Sequence, residues 1–181
     1  EAFDGALEID PMNAITWTEK GNVLINLKKY EEAINAYNKA LEINPEYFEP
    51  LFYLSNLFFS LGNIKDSTKK VEELLDKNKS HALGLNLNGR IKIDEKCYDK
   101  AIEFFEKAIS LDMGNPMHLL WAAYANYLNL EFSSSPKRNE CQEKEALTLI
   151  IRKLEKARNL INERTDKEIQ AYILYFLGYS Y

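Results

Sequence analysis

Three observations predict an all-α fold, an α-solenoid of antiparallel helix pairs. Residue types recur with a step of 34 positions: Trp17, Leu51, Leu85 and Leu119 form one series, and Ala6, Ala40, Leu74 and Ala108 a second. Leu7, Leu41, Leu75 and Ile109 keep the same step, and Gly21 and Gly89 lie two steps apart. Within each step, apolar and small residues are spaced for helices rather than alternating as in strands. Only 7 Gly and 5 Pro stand in 181 residues beside 11 Tyr and 9 Phe, too few turn-formers for a β-rich chain. A fixed period of this length marks a solenoid, in which each repeat buries its apolar face against its neighbours alone.

The elements follow in chain order. Residues 1–11 read as the end of a preceding repeat, since Phe3, Ala6, Leu7 and Pro11 align with Tyr37, Ala40, Leu41 and Pro45. Residues 12–47 hold one complete unit. A helix from Ala14 to Leu27 carries Trp17, Gly21 and Leu24 on one face, and Lys28-Lys29 breaks it. A second helix runs from Tyr30 to Ile43 with Ala33, Tyr37, Ala40 and Leu41. Asn44-Pro45 ends it, because proline pushes the residue before it out of the helical region.

Residues 48–81 repeat the pattern with Leu51, Ser55, Phe58, Ser67, Val71 and Leu74, but Lys79 stands where the closing proline would be. Residues 82–115 do so with Leu85, Gly89, Ala101, Phe105 and Ala108. Asn88 and Lys92 depart from the apolar pattern, so the first helix of this repeat is expected to pack less tightly. Residues 116–165 form a divergent repeat. Leu119, Ala123 and Asn126 keep the period, but Gly178 lies 55 residues beyond Ala123 instead of 34. A loop insertion at about 131–144 and a long second helix from about 143 to 161 account for the excess, with Leu147, Ile150, Ile151, Leu154, Ala157 and Ile161 on one face. Residues 166–181 would then be the first helix of a further repeat. Both ends cut through a repeat, as expected of a piece of a longer array.

Composition narrows the function. A net charge of −5 argues against a nucleic-acid scaffold, whose phosphate contacts need clustered Lys and Arg. No run reaches the apolar length of a membrane span, so no membrane role is expected. Cys97 and Cys141 stand in different repeats without ligand spacing, which favours a reducing, cytoplasmic setting over a disulfide framework. No phosphate-binding glycine loop, nucleophile elbow or metal-binding histidine pair occurs, so no cofactor, metal or catalytic residue is assigned and the segment is read as non-enzymatic.

The first complete repeat carries a closer likeness. Trp17, Lys20, Gly21, Leu24, Ala33, Tyr37, Ala40 and Pro45 occupy the slots of the pattern Trp-x2-Leu-Gly-x2-Tyr, Ala-x3-Phe and Pro, with Lys20 replacing Leu and Leu24 replacing Tyr. The chain resembles the tetratricopeptide repeat family. That resemblance implies a right-handed superhelix whose first helices line a concave groove holding a peptide or helical segment.

Numbering each repeat from Ala14, Phe48, Ala82 and Pro116, slots 4, 7, 8 and 11 form the stripe that packs on the second helix. Slots 2, 5, 9 and 12 are taken to face outward. The resulting candidate partner-binding residues are Thr18, Phe52, Asn86, Leu120 and Tyr175 at slot 5, Asn22, Asn56, Arg90 and Tyr124 at slot 9, and Phe59 and Tyr127 at slot 12. Asparagine can both donate to and accept from the backbone of an extended ligand, and outward aromatics supply apolar anchors. In the competing reading the asparagines bond the neighbouring helix and the aromatics pack between repeats.

A family subgroup that grips chaperone C-termini requires Lys or Asn where Thr18 and Tyr53 stand, and Lys and Arg at Leu83 and Leu87, so that grip is not expected here. The leading expectation is a protein-interaction scaffold for a protein or peptide partner. The alternative is the substrate-recruiting or regulatory region of a larger enzyme such as a glycosyltransferase. The related 35-residue RNA-binding class is disfavoured by the strict 34-residue step and the acidic balance.

Overall fold

The computed structural model describes residues 2–132 and 139–160. Among them are nine α-helices and no strands: α1 (Ala2–Ile9), α2 (Ala14–Asn26), α3 (Tyr30–Ile43), α4 (Glu49–Ser60), α5 (Ile64–Lys77), α6 (Ala82–Asp94), α7 (Tyr98–Leu111), α8 (Pro116–Phe132) and α9 (Glu140–Leu160). Tyr175, the helix expected over 166–181 and the Ser133-Ser134-Ser135-Pro136-Lys137-Arg138 stretch lie outside the described residues. Helix takes up both edges of the expected insertion: α8 continues through Glu131 and Phe132, and α9 already begins at Glu140. The chain forms two compact units, Glu1–Gly84 and Leu85–Tyr181.

Three helix pairs turn in the same way. After α2, Lys29 N–H bonds the Leu24 carbonyl at 2.9 Å and Lys28 N–H that of Ile25 at 2.8 Å. After α4 and α6, the same two bonds run from Asn63 to Phe58 and Gly62 to Phe59, and from Cys97 to Lys92 and Lys96 to Ile93. This closure places the residue just past the helix in the left-handed region, and Lys28 (φ 60), Gly62 (φ 75) and Lys96 (φ 59) all occupy it. Asn13 and Asn63 cap α2 and α5, each accepting an N–H three residues on.

In the first unit, α3 packs against α2 and α4 around Leu24, Ala33, Ala36, Tyr37, Leu54 and Leu57. Ala33, Tyr37 and Ala40 are wholly buried, as the repeat pattern requires of the second helix. Where the other repeats have Gly and Ala, α4 and α5 meet through Ser55 and Ser67. Each hydroxyl donates to the other residue's carbonyl at 2.8 Å, so the buried polar pair is satisfied.

In the second unit, Ala101 and Phe105 of α7 pack on Ala122 and Ala125 of α8, and Ile150, Leu154 and Ala157 of α9 pack on Leu119, Leu120 and Ala123. The looser first helix expected from Asn88 is not observed. Leu85 to Gly89 are all buried, and Asn88 is 4% exposed. The Asn88 side-chain oxygen is buried there with no hydrogen-bond partner among the described residues.

Candidate partner-binding faces

Helices α4 and α8 each have neighbours on two sides: their own second helix and the second helix of the preceding repeat. Leu54 and Leu57 of α4, at slots 7 and 10, therefore pack back onto α3, and Ala122 and Ala125 of α8, at the same slots, onto α7. At slot 6 the structure leaves Tyr53 and Trp121 half-buried but seals Leu87, which is 1% exposed, and the slot-5 expectation needs correction.

Thr18 is 0% exposed, donating to the Ala14 carbonyl at 2.8 Å, with the Tyr47 side chain beside it. Asn86 is 8% exposed, and its amide lies 3.0 Å from His118 Nδ1. Leu120 is 4% exposed within the α8–α9 core. None of the three is presented to a partner. Phe52 alone of the described slot-5 residues keeps an open edge, being half-buried.

The remaining candidates stay half-buried: Asn22, Phe52, Asn56 and Phe59 in the first unit, Arg90, Tyr124 and Tyr127 in the second. Asn22 is held in place, its Oδ1 accepting the Tyr37 hydroxyl at 2.7 Å and its amide reaching Glu19 at 3.4 Å. For Asn22 the inter-helix bond of the competing reading is the one formed. The Asn56 side chain makes no hydrogen bond among the described residues. Tyr127 leans on the α8–α9 core.

Two aromatic stacks, one in each unit, organise these faces. In the first, Tyr37 lies behind Tyr53, with ring centroids 5.6 Å apart and planes 14° from parallel. Phe52 tilts against Tyr53 at 5.6 Å and against His81 at 5.4 Å, and Phe48 meets His81 edge-on. In the second, Phe105 lies behind Trp121 at 6.5 Å and 15°, Tyr124 meets the Trp121 edge, and the Arg90 guanidinium sits 5.0 Å from the Trp121 ring centre. The outer rings of both stacks, Tyr53 and Trp121, stand at slot 6. The expected site omitted them because slot 6 was not counted as outward.

The electrostatics differ between the faces. Burial, the Tyr53 ring and then Glu19 raise the Tyr37 phenol far above its usual value of 10.0, so it remains a donor. Burial, then Glu49, raises Tyr47 as well. Burial lowers His81 from 6.5, with Glu49 opposing, and lowers Arg90, with Asp94 opposing. A shallow cavity of about 360 Å³ opens elsewhere on the first unit, between α2 and α3 beside Trp17, Lys20, Glu32 and Lys39. Among the described residues no cluster of three metal-ligating side chains occurs, and no helix is long and apolar enough to cross a membrane. Cys97 and Cys141 are exposed free thiols.

Family comparison agrees with the register of the helix pairs. The tetratricopeptide repeat family matches residues 14–47 and again residues 85–113. The chain carries tetratricopeptide repeats. It is 29% identical over 106 residues to Hsp70-Hsp90 organizing protein 3 of Arabidopsis thaliana, covering 59% of this chain and 19% of that protein. The chain thus spans about a fifth of the length of the curated relatives it matches. Among solved structures, MamA aligns with a TM-score of 0.68 at 20% identity, over 87% of this chain and 86% of that one. The first tetratricopeptide domain of Spaghetti (RPAP3), bound to an HSP90 peptide, aligns with a TM-score of 0.59 at 19% identity, over 63% and 90%. Both likenesses are to the helix-pair fold.

Proposed function

We propose that this chain is a protein-interaction scaffold that holds a peptide or helical segment of a partner on the faces that the first helices of its units present. The observation that carries this reading is the aromatic side chains left half-buried in each unit: Phe52, Tyr53 and Phe59 in one, Trp121, Tyr124 and Tyr127 in the other. A solenoid core could have sealed these rings, and an unsealed aromatic surface is the type that anchors partners. The peptide complex of Spaghetti supports the same reading for a related fold.

A photo-crosslinking residue placed at Phe59 or Tyr124 in the intact protein tests it. Crosslinked partner peptides should be recovered from both positions and not from Glu72 or Glu103, which lie exposed on second helices. Equal yields from the second helices would overturn the assignment. With a partner in hand, Tyr124→Ala should weaken binding by about thirtyfold or more, as for a buried aromatic anchor. Asn56→Ala should cost about fivefold, as for a neutral hydrogen bond.

A further inference from the structure

The two aromatic stacks are equivalent in sequence. Phe105 lies 68 positions beyond Tyr37, and Trp121 lies 68 beyond Tyr53, two steps of the repeat in both cases. Each pair is stacked with nearly the same tilt, 14° and 15°. The residue beside the stack is equivalent in sequence too: Arg90, which reaches the outer ring, lies 68 positions beyond Asn22, which accepts from the inner ring's hydroxyl. In the second unit that residue is a cation seated on the ring. In the first it is a neutral amide, and among the described residues no Lys or Arg lies over Tyr53 or Phe52.

Charge around the first stack runs in the complementary direction. Glu19 touches Asn22, and Glu49 stands at slot 2 of α4, between Phe48 and Phe52. Residues 1–84 hold fourteen Asp and Glu against nine Lys and no Arg, whereas residues 85–181 hold fourteen of each sign. The first unit therefore carries the whole net charge of −5. The face of an aromatic ring attracts a cation, and a nearby carboxylate adds to that attraction.

We infer that the first unit seats a Lys or Arg side chain of a basic partner segment against Tyr53 and Phe52, with Glu19 and Glu49 as its counter-charges. The seat reproduces between two molecules the contact that Arg90 and Trp121 make within the second unit. The inference rests on the interaction-scaffold reading and names the class of partner for one of its faces.

The test uses the whole chain and three short synthetic peptides of one extended sequence, differing only in carrying Arg and Lys, Gln, or Glu at alternate positions. The basic peptide should shift the ring resonances of Tyr53 and Phe52, and bind at least about tenfold more tightly than the Gln peptide. Asn22→Arg, which places a resident cation as in the second unit, should abolish most of that preference. Tyr37→Phe, which removes the same Tyr37–Asn22 bond but adds no charge, should keep it, and Phe105 shows that Phe fits this position. Glu19→Gln and Glu49→Gln should each weaken the basic peptide severalfold. Equal binding of the three peptides, or unaltered binding by Asn22→Arg, would overturn the inference. If the Gln or Glu peptide shifts these rings and the basic one does not, the scaffold reading stands and the basic partner is wrong. If no peptide shifts any first-helix ring, both fail.

Discussion

Gly21 and His118 show how tightly single positions are set. A Cβ at Gly21 would fall 2.5 Å from the Tyr37 ring, which is wholly buried, tied by its hydroxyl to Asn22 and stacked on Tyr53. The ring has nowhere to move. Gly21→Ala gains about 1 kcal/mol of helix propensity but overpacks the contact at about 1–3 kcal/mol, so thermal melts should show a net loss of stability. An unchanged or raised melting temperature would refute that contact. His118 is wholly buried between α6 and α8, its Nδ1 accepting from the Asn86 amide and its Nε2 3.7 Å from Asp112. Burial holds its pKa below 6.5, with Asp112 partly opposing. The unfolded chain therefore takes up the proton first, and the stability this group contributes, intact above the unfolded value, is lost as pH falls through the folded one. Melts between about pH 7 and pH 5 should show stability falling with acidification, and His118→Gln should flatten that slope. His81, lowered by burial in the first unit, adds a term of the same sign.

At the scale of the helix pair, one turn geometry is used three times with different residues. Gly62 suits the left-handed position, while Lys28 and Lys96 occupy it at φ 60 and φ 59. Holding a non-glycine residue there costs about 1–2 kcal/mol, and glycine loses about 0.5–1 kcal/mol of that advantage through chain entropy. Lys28→Gly and Lys96→Gly should each stabilise their unit by about 0.5 kcal/mol, read as a higher denaturant midpoint at unchanged slope. A loss in both would mean that the lysine stems pack usefully, which their exposure argues against. The Ser55–Ser67 pair is the other variation at this scale: reciprocal hydroxyl bonds join the two positions that Gly21 and Ala33 hold in the first complete repeat.

Across the whole molecule, the two units share a repeat but not a charge. Fourteen acidic residues face nine lysines in residues 1–84, against an even balance in residues 85–181. Binding of a basic segment should accordingly weaken when salt is raised from about 0.05 M to 0.5 M, because exposed pairs are screened over a few ångströms. The Tyr124 anchor, driven by apolar burial, should hold its affinity over the same range. Calorimetric titration at the two ionic strengths separates these behaviours, and an equal salt response at both faces would contradict the assignment of charge to one and apolar anchoring to the other.

The 34-residue step was enough to place the helix pairs, because each repeat must present the same small and large residues to its neighbours. Gly21, Ala33, Tyr37, Ala40, Gly89, Ala101 and Phe105 all lie where that pattern puts them. Periodicity alone could not place the outward face. It counts one packed stripe per helix, but slot 5 is covered as well: Thr18 lies beside Tyr47, Asn86 lies against His118, and Leu120 sits in the α8–α9 core. The aromatic stacks were hidden for a related reason. Tyr37 with Tyr53, and Phe105 with Trp121, are 16 residues apart in sequence, a separation at which no helical or strand spacing brings side chains together. Only the packing of one repeat's second helix on the next repeat's first helix makes them neighbours.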